Sequence, residues 1–410
     1  VSGHVIRARY LYVTLFPGNS IRTYFSQSYK EQEMKHPILI SMIFIFMVTS
    51  TMAQQTGDVW TGIVDTCGED VLTITKADDT PEDNGTIALD DLLRQFVTFP
   101  AEDEQPLQDG VPAPGAVLLI DTPDGRYFRS VGAGDIENCA PIDPAMPFLI
   151  GSNTKMFTAN VIYQLQEEGL LSTSDLVSQH LPDEIALWDG AESITIDMLL
   201  SHTSGLPDYL NSKSPTSIGV QLVQDPDIVG KAFTPRELIE NSAESDPQLL
   251  FEPGAEAQWS YSNDGYIMLG QIIEQVTGKS YIDAVTERII DPLGMDHTFV
   301  ADGIIPADVG LVGQYLIDRE TGEFISEMSG WNSSQAWSAG SIVSTPEDMV
   351  VFLRAHYTGE LFEDPATLDA MLTPAAPGFN QSTDDFYYMH GGFYRGGFLG
   401  HGGQTLGTES

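Results

Sequence analysis

An α+β fold, with an antiparallel sheet flanked by helices plus a mostly helical lobe, is predicted by three observations: an alternating hairpin, a middle rich in capped helices, and an aromatic, glycine-rich strand region late in the chain. Residues 115–120 and 127–131 are apolar runs flanking Pro123-Asp124-Gly125, a hairpin pattern. Upstream, residues 87–99 place Leu89, Leu92, Leu93 and Phe96 on one side of a helix. Val161, Ile162 and Leu165 mark a buried helix ending at Gly169, and Thr234-Pro235-Arg236-Glu237 is a capping box with Pro at the first helical position. Leu269, Ile272, Ile273 and Val276 form a helical stripe closed by Gly278, and Thr345-Pro346-Glu347-Asp348 opens another helix through Met349, Phe352 and Leu353. Residues 386–399 then alternate aromatics with glycine, as strands and tight turns do. The order implies that the chain ends share a sheet while the middle forms the helical lobe.

The chain has 410 residues, 59 acidic and 18 basic, with a net charge of −41. Phosphate binding is driven by Lys and Arg, so this balance argues against nucleic-acid partners and against docking on anionic lipid. An apolar content of 42% is ordinary, which excludes wholesale disorder and makes the acidity a solvated surface.

Residues 34–53 read as a signal peptide. Lys35 supplies a basic start, residues 38–48 an apolar core, and Thr51-Met52-Ala53 small residues at the cleavage positions. The core is shorter than the roughly 20 residues a spanning helix needs, so export to the periplasm or outside the cell is expected, with no membrane span after cleavage. Residues 1–33 read as a non-native upstream leader and 54–85 as an acidic N-terminal segment or linker. Export permits a disulfide, and Cys67 and Cys139 are the only pair; spacing alone leaves a bridge and two buried thiols equally open.

Gly151-Ser152-Asn153-Thr154-Lys155 opens the first buried helix. Ser152 sits where free backbone N–H groups and the positive dipole end favour developing negative charge. Lys155, three residues on, shares its face. A serine needs a base to take its proton, and a desolvated lysine can serve. S-x-x-K alone is weak, since a capping serine before a surface lysine is commoner. Two further signals raise its weight: Tyr261-Ser262-Asn263 at a helix start, and His401-Gly402-Gly403 in the late strand region.

These motifs, with Leu199-Leu200-Ser201-His202-Thr203-Ser204-Gly205-Leu206-Pro207, Phe251-Glu252-Pro253-Gly254, Pro292-Leu293-Gly294-Met295 and Ala339-Gly340 in order, resemble the serine β-lactamase/D-alanyl-D-alanine carboxypeptidase superfamily. The resemblance is to the branch of class C β-lactamases, soluble DD-peptidases and family VIII carboxylesterases, over residues 86–410. It implies the β-lactamase/penicillin-binding transpeptidase-like fold and acyl transfer through a Ser152 acyl-enzyme, without metal or organic cofactor. Ser152 would be the acylated nucleophile, Lys155 its activating partner, and Tyr261 the general base in acylation and the activator of water in deacylation. Asn263 would bind a substrate carbonyl or amide, and backbone N–H groups of Ser152 and Gln404 would form the oxyanion hole.

His390-Gly391-Gly392 also fits H-x-G; His401, with Gly402 and Gly403, is preferred because it follows Gly400 and leads into Gln404-Thr405-Leu406-Gly407. Histidine there resembles the esterase and peptidase branches more than class C β-lactamases. An ester or small peptide or amide is therefore the expected substrate, with β-lactam hydrolysis and a non-catalytic penicillin- or peptide-binding homologue as alternatives. His202 is expected to fix a turn, and no metal-ligand spacing occurs. Because two more strands and a helix follow the late triplet in the resembled family, the chain reads as truncated at the C-terminus, and this form is expected to fold poorly or act weakly.

Overall fold

The computed structural model describes residues 42–48, 62–78, 80–98, 112–210, 216–244, 248–317, 324–328, 330–375, 386–405 and 407–410. The chain divides into two compact units, Val1–Met146 with Val312–Glu327, and Pro147–Leu311 with Met328–Ser410.

The first unit is built on the predicted hairpin. Strands Gly115–Thr122 and Gly125–Asp135 pair antiparallel from Gly115 opposite Gly132 to Thr122 opposite Gly125, closing on Pro123-Asp124. Thr75–Lys76 pairs with the second strand, and Ala140–Pro141 pairs with its far end past a bulge. Met42–Val48 pairs along the outer edge of Gly115–Thr122. That strand lies inside the segment expected as a signal peptide. A short run of Ile, Phe, Met and Val suits either state, and periodicity does not separate them; the expected cleavage site and residues 1–33 lie outside the described residues.

Helix Asn84–Gln95 starts three residues before the expected Ile87, because the Asp83 carboxylate accepts the Thr86 N–H at 2.9 Å and caps it. Leu89, Leu93 and Phe96 are buried beneath it. Within residues 54–85, expected as an acidic N-terminal segment or linker, the described residues carry the helix Ile63–Cys67, the turn Glu69–Leu72 and the strand Thr75–Lys76. Burial of Ile63 and Val71 builds this stretch into the unit.

A disulfide joins Cys67 to Cys139, 72 residues apart, which settles the question that spacing left open. Closing a loop of that size in the unfolded chain stabilises the fold by about 4 kcal/mol in the chain-entropy account. Reduction, or the Cys67→Ser/Cys139→Ser double variant, is expected to lower the urea midpoint accordingly; unchanged melts of oxidised and reduced protein would refute this.

In the second unit, helix Thr154–Glu167 is buried almost all round, including Lys155, Met156, Phe157, Val161, Ile162 and Leu165. Burial on every side, polar Thr154, Thr158 and Asn160 included, marks a helix at the centre of a lobe rather than at its surface. Phe157 stacks on Phe352 of helix Pro346–Thr358 with ring centroids 3.7 Å apart. Helix Asn263–Thr277 buries Leu269, Ile272 and Ile273 and ends at Gly278 in the left-handed conformation. The capping box at Thr234 forms on helix Pro235–Ala243. The late strands Phe386–Tyr388, Phe393–Arg395 and Phe398–Gly400 make a three-stranded antiparallel meander. Among the described residues, no helix is long and apolar enough to cross a membrane.

Candidate active site

All the candidate residues lie in the second unit. Ser152 sits in the 3-10 turn Gly151–Asn153 that leads into helix Thr154–Glu167, and one helical turn places Lys155 Nζ 3.1 Å from Ser152 Oγ. Lys155 is fully buried, while Ser152 keeps part of its surface accessible. The amine also donates to Asn263 Oδ1 at 2.7 Å and to the Ala339 carbonyl at 2.7 Å. Neither partner can donate in return. Asn263 has its Nδ2 turned to both oxygens of Asp208 at 3.1 Å, which leaves only Oδ1 to face the lysine.

Burial draws Lys155 down to about 7, with the Asp208 carboxylate pulling weakly the other way. A neutral amine has two N–H groups and one lone pair. In the neutral form the two N–H groups can serve these two acceptors, which leaves the lone pair for the Ser152 hydroxyl 3.1 Å away. That is the arrangement a general base needs.

The Ala339 carbonyl is held there by local structure. The turn Trp337–Ala339 is tied down by Ser338, whose Oγ donates to the Tyr266 carbonyl at 2.9 Å and whose carbonyl accepts from Thr158 Oγ1 at 2.8 Å.

Tyr261 packs against the lysine, with Nζ 4.9 Å from its ring centroid. Its ring lies 4.3 Å from His202 and 6.2 Å from His401, centroid to centroid. His202 fixes a turn, as expected: its carbonyl accepts the Ser260 N–H at 3.1 Å and its Nδ1 accepts the Ser262 N–H at 3.2 Å. The loop carrying Tyr261 is thereby pinned just before helix Asn263–Thr277. Asn263, expected to hold a substrate carbonyl or amide, here has its amide turned to Lys155 and Asp208 because it is the first residue of that helix and is buried.

His401 follows the strand Phe398–Gly400 and stands beside Tyr261. The competing His390 lies in the turn between two strands of the meander, with Nδ1 2.5 Å from Tyr163 Oη and Nε2 3.3 Å from Asp197. The segment after His401 runs against the serine turn. Gly151 has φ +51°, and a β-carbon there would lie 2.8 Å from the Gln404 backbone nitrogen; one on Gly403 would lie 1.9 Å from the Ile150 carbonyl oxygen. Two glycines thus let Gln404 approach the residue before the serine. Among the described residues, no group of three or more His, Cys, Asp or Glu side chains could hold a metal ion.

The beta-lactamase family model matches residues 84–410, most of the chain and every residue of this cluster. The chain belongs to the beta-lactamase family. It is 35% identical over 198 residues to protein flp of Staphylococcus aureus strain MW2, covering 48% of this chain and 36% of the relative. The chain therefore spans about a third of the length of the curated relatives it matches. It resembles the crystal structure of a D-stereospecific amidohydrolase from Streptomyces sp. at 28% identity and a TM-score of 0.61, over 72% of this chain and 83% of that one. A D-amino acid amidase from Ochrobactrum anthropi SV3, complexed with D-phenylalanine, matches at 27% identity and a TM-score of 0.59, over 72% of this chain and 84% of that one. Family membership carries the expected mixed α+β fold with it.

Three parts of this cluster are not among the residues singled out from the sequence: the Asp208 carboxylate and the Ala339 carbonyl, both on the Lys155 amine or its Asn263 partner, and the Tyr388 hydroxyl, 3.1 Å from His401 Nε2. Asp208 directly follows the Leu199–Pro207 motif, a signal that was available. Tyr388 offered none, being one aromatic residue in an aromatic strand.

Proposed function

We propose that this protein is an exported serine hydrolase of the carboxylesterase or D-amino-acid peptidase type, acting on an ester or small amide through a Ser152 acyl-enzyme. The observation that carries the reading is the Lys155 amine, saturated by two acceptor-only partners and facing Ser152 Oγ at 3.1 Å. Ser152 Oγ bonds to the substrate carbonyl carbon while its proton passes to Lys155 Nζ. Backbone N–H groups of Ser152 and Gln404 receive the developing oxyanion. The C–N or C–O bond then breaks, Tyr261 relays the proton to the departing amine or alcohol, and water repeats the sequence to release the acid. Export rests on residues 34–53.

The similarity to a D-amino acid amidase and a D-stereospecific amidohydrolase supports the amide side of this class. The test is a panel of D- and L-phenylalanine amides, p-nitrophenyl butyrate and benzylpenicillin on the purified protein. Turnover of an amide or ester above that of the penicillin is expected. Efficient penicillin hydrolysis would move the protein to the β-lactamase reading, and binding without any turnover to the non-catalytic one.

A further inference from the structure

The Tyr388 hydroxyl lies 3.1 Å from His202 Nε2 and 3.1 Å from His401 Nε2, so one phenol bridges two histidines from distant parts of the chain. Tyr388 is buried, as is His202, and both rings pack with Trp259 and Tyr261 in one aromatic cluster. The two outer ends of this chain are backbone groups with no choice of role. The Ser262 N–H can only donate, so His202 Nδ1, 3.2 Å away, carries a lone pair and Nε2 carries the proton. The Gly402 carbonyl can only accept, so His401 Nδ1, 2.5 Å away, carries the proton and Nε2 the lone pair. One order of hydrogens satisfies both histidine contacts: His202 Nε2–H donates to Tyr388 Oη, and Tyr388 O–H donates to His401 Nε2; the Tyr266 hydroxyl, which also meets Tyr388, donates to the Leu200 carbonyl at 2.9 Å and competes with His401 only as an acceptor.

We propose that Tyr388 is a positioning residue, which holds His401 in the Nδ1–H tautomer and through it the Gly402 carbonyl, and so orients the segment that delivers the Gln404 N–H to the site. The inference rests on the acyl-transfer reading only for its catalytic consequence. Gly403 and Gln404 continue directly from the carbonyl that His401 grips, against the turn that holds Ser152. Losing the Tyr388 hydroxyl removes the donor to His401 Nε2, one of the two contacts that select the Nδ1–H tautomer, and leaves the Gly402 carbonyl as the other, so the balance moves towards Nε2–H. The ring stays neutral because burial holds it down to about 3 and Lys155 repels its cationic form; Tyr261 and Tyr266 are the other ionisable groups in the cluster. With both nitrogens committed, His401 has no N–H to offer a substrate carboxylate.

The experiment reads the tautomers directly, by nitrogen NMR of protein labelled in its histidine side chains near neutral pH, with His202→Asn and His401→Asn used for assignment. The expected result is opposite tautomers, His202 as Nε2–H and His401 as Nδ1–H, with Tyr388→Phe shifting His401 towards Nε2–H. This readout needs no turnover, so it stands or falls apart from the hydrolase reading. His401 found as Nε2–H in the wild type, or unmoved by Tyr388→Phe, overturns the proposal. On an active substrate from the panel, Tyr388→Phe is expected to lower kcat about tenfold with KM unchanged, inside the hundredfold that an ångström of misplacement can cost. An unchanged kcat overturns the positioning role.

Discussion

Replacing Ser152 with alanine is expected to lower kcat by at least about 10⁴-fold on any substrate the protein turns over, the scale seen when a serine nucleophile is removed. The substitution deletes one oxygen at a partly accessible turn, so the fold should tolerate it. The Lys155 amine loses one of three neighbours and keeps Asn263 Oδ1 and the Ala339 carbonyl. Ligand affinity should therefore survive while turnover does not. Pre-steady-state assays with excess nitrophenyl ester would show it, as loss of both the burst and the steady state. Residual activity near the wild-type level would sink the acyl-enzyme reading altogether.

Lys155→Met is expected to cost about 10³- to 10⁴-fold in kcat/KM, the upper range for a lost general base. The wild-type pH profile should carry the same signature. Only the neutral amine can take the serine proton, so kcat/KM should rise tenfold per pH unit below about 7 and level off above it. Asp208 raises the lysine towards its ordinary range, so Asp208→Asn should move that midpoint to lower pH. Stability has its own sign. In the folded state Lys155 releases its proton near 7, whereas in the unfolded chain it does so near 10.5. Between those values the unfolded chain binds more protons, so the lysine's contribution makes stability rise with pH by at most about 1.4 kcal/mol per unit. The difference between wild type and Lys155→Met in urea melts should show that slope over the window. A flat difference would mean the lysine is not desolvated.

Much of this was legible in local sequence because the features are themselves local. The hairpin at Pro123-Asp124, the Thr234 capping box, the Gly278 stop and the three-residue spacing from Ser152 to Lys155 each need only neighbouring residues. Asp83 was overlooked as a cap because the apolar stripe that drew attention begins at Ile87. The residues that tune the site were hidden for a different reason: they are joined to it only by tertiary contact. Lys155 meets the Ala339 carbonyl across 184 residues, and His202 meets Tyr388 across 186. No periodicity or cap spans such distances. Motif order could place Asn263 near the serine but not tell which side of its amide faces the lysine; that depends on Asp208 holding the other.

The Cys67–Cys139 bridge also gives the molecule a closed covalent ring of backbone. A protease cut at any one peptide bond between the two cysteines leaves both pieces attached, so a nicked chain runs as one band on a non-reducing gel and as two after reduction. Nicks elsewhere separate at once. The ring is thus a built-in label that sorts cleavage sites by region, and the share of chains that keep it closed reports how oxidising a compartment they passed through.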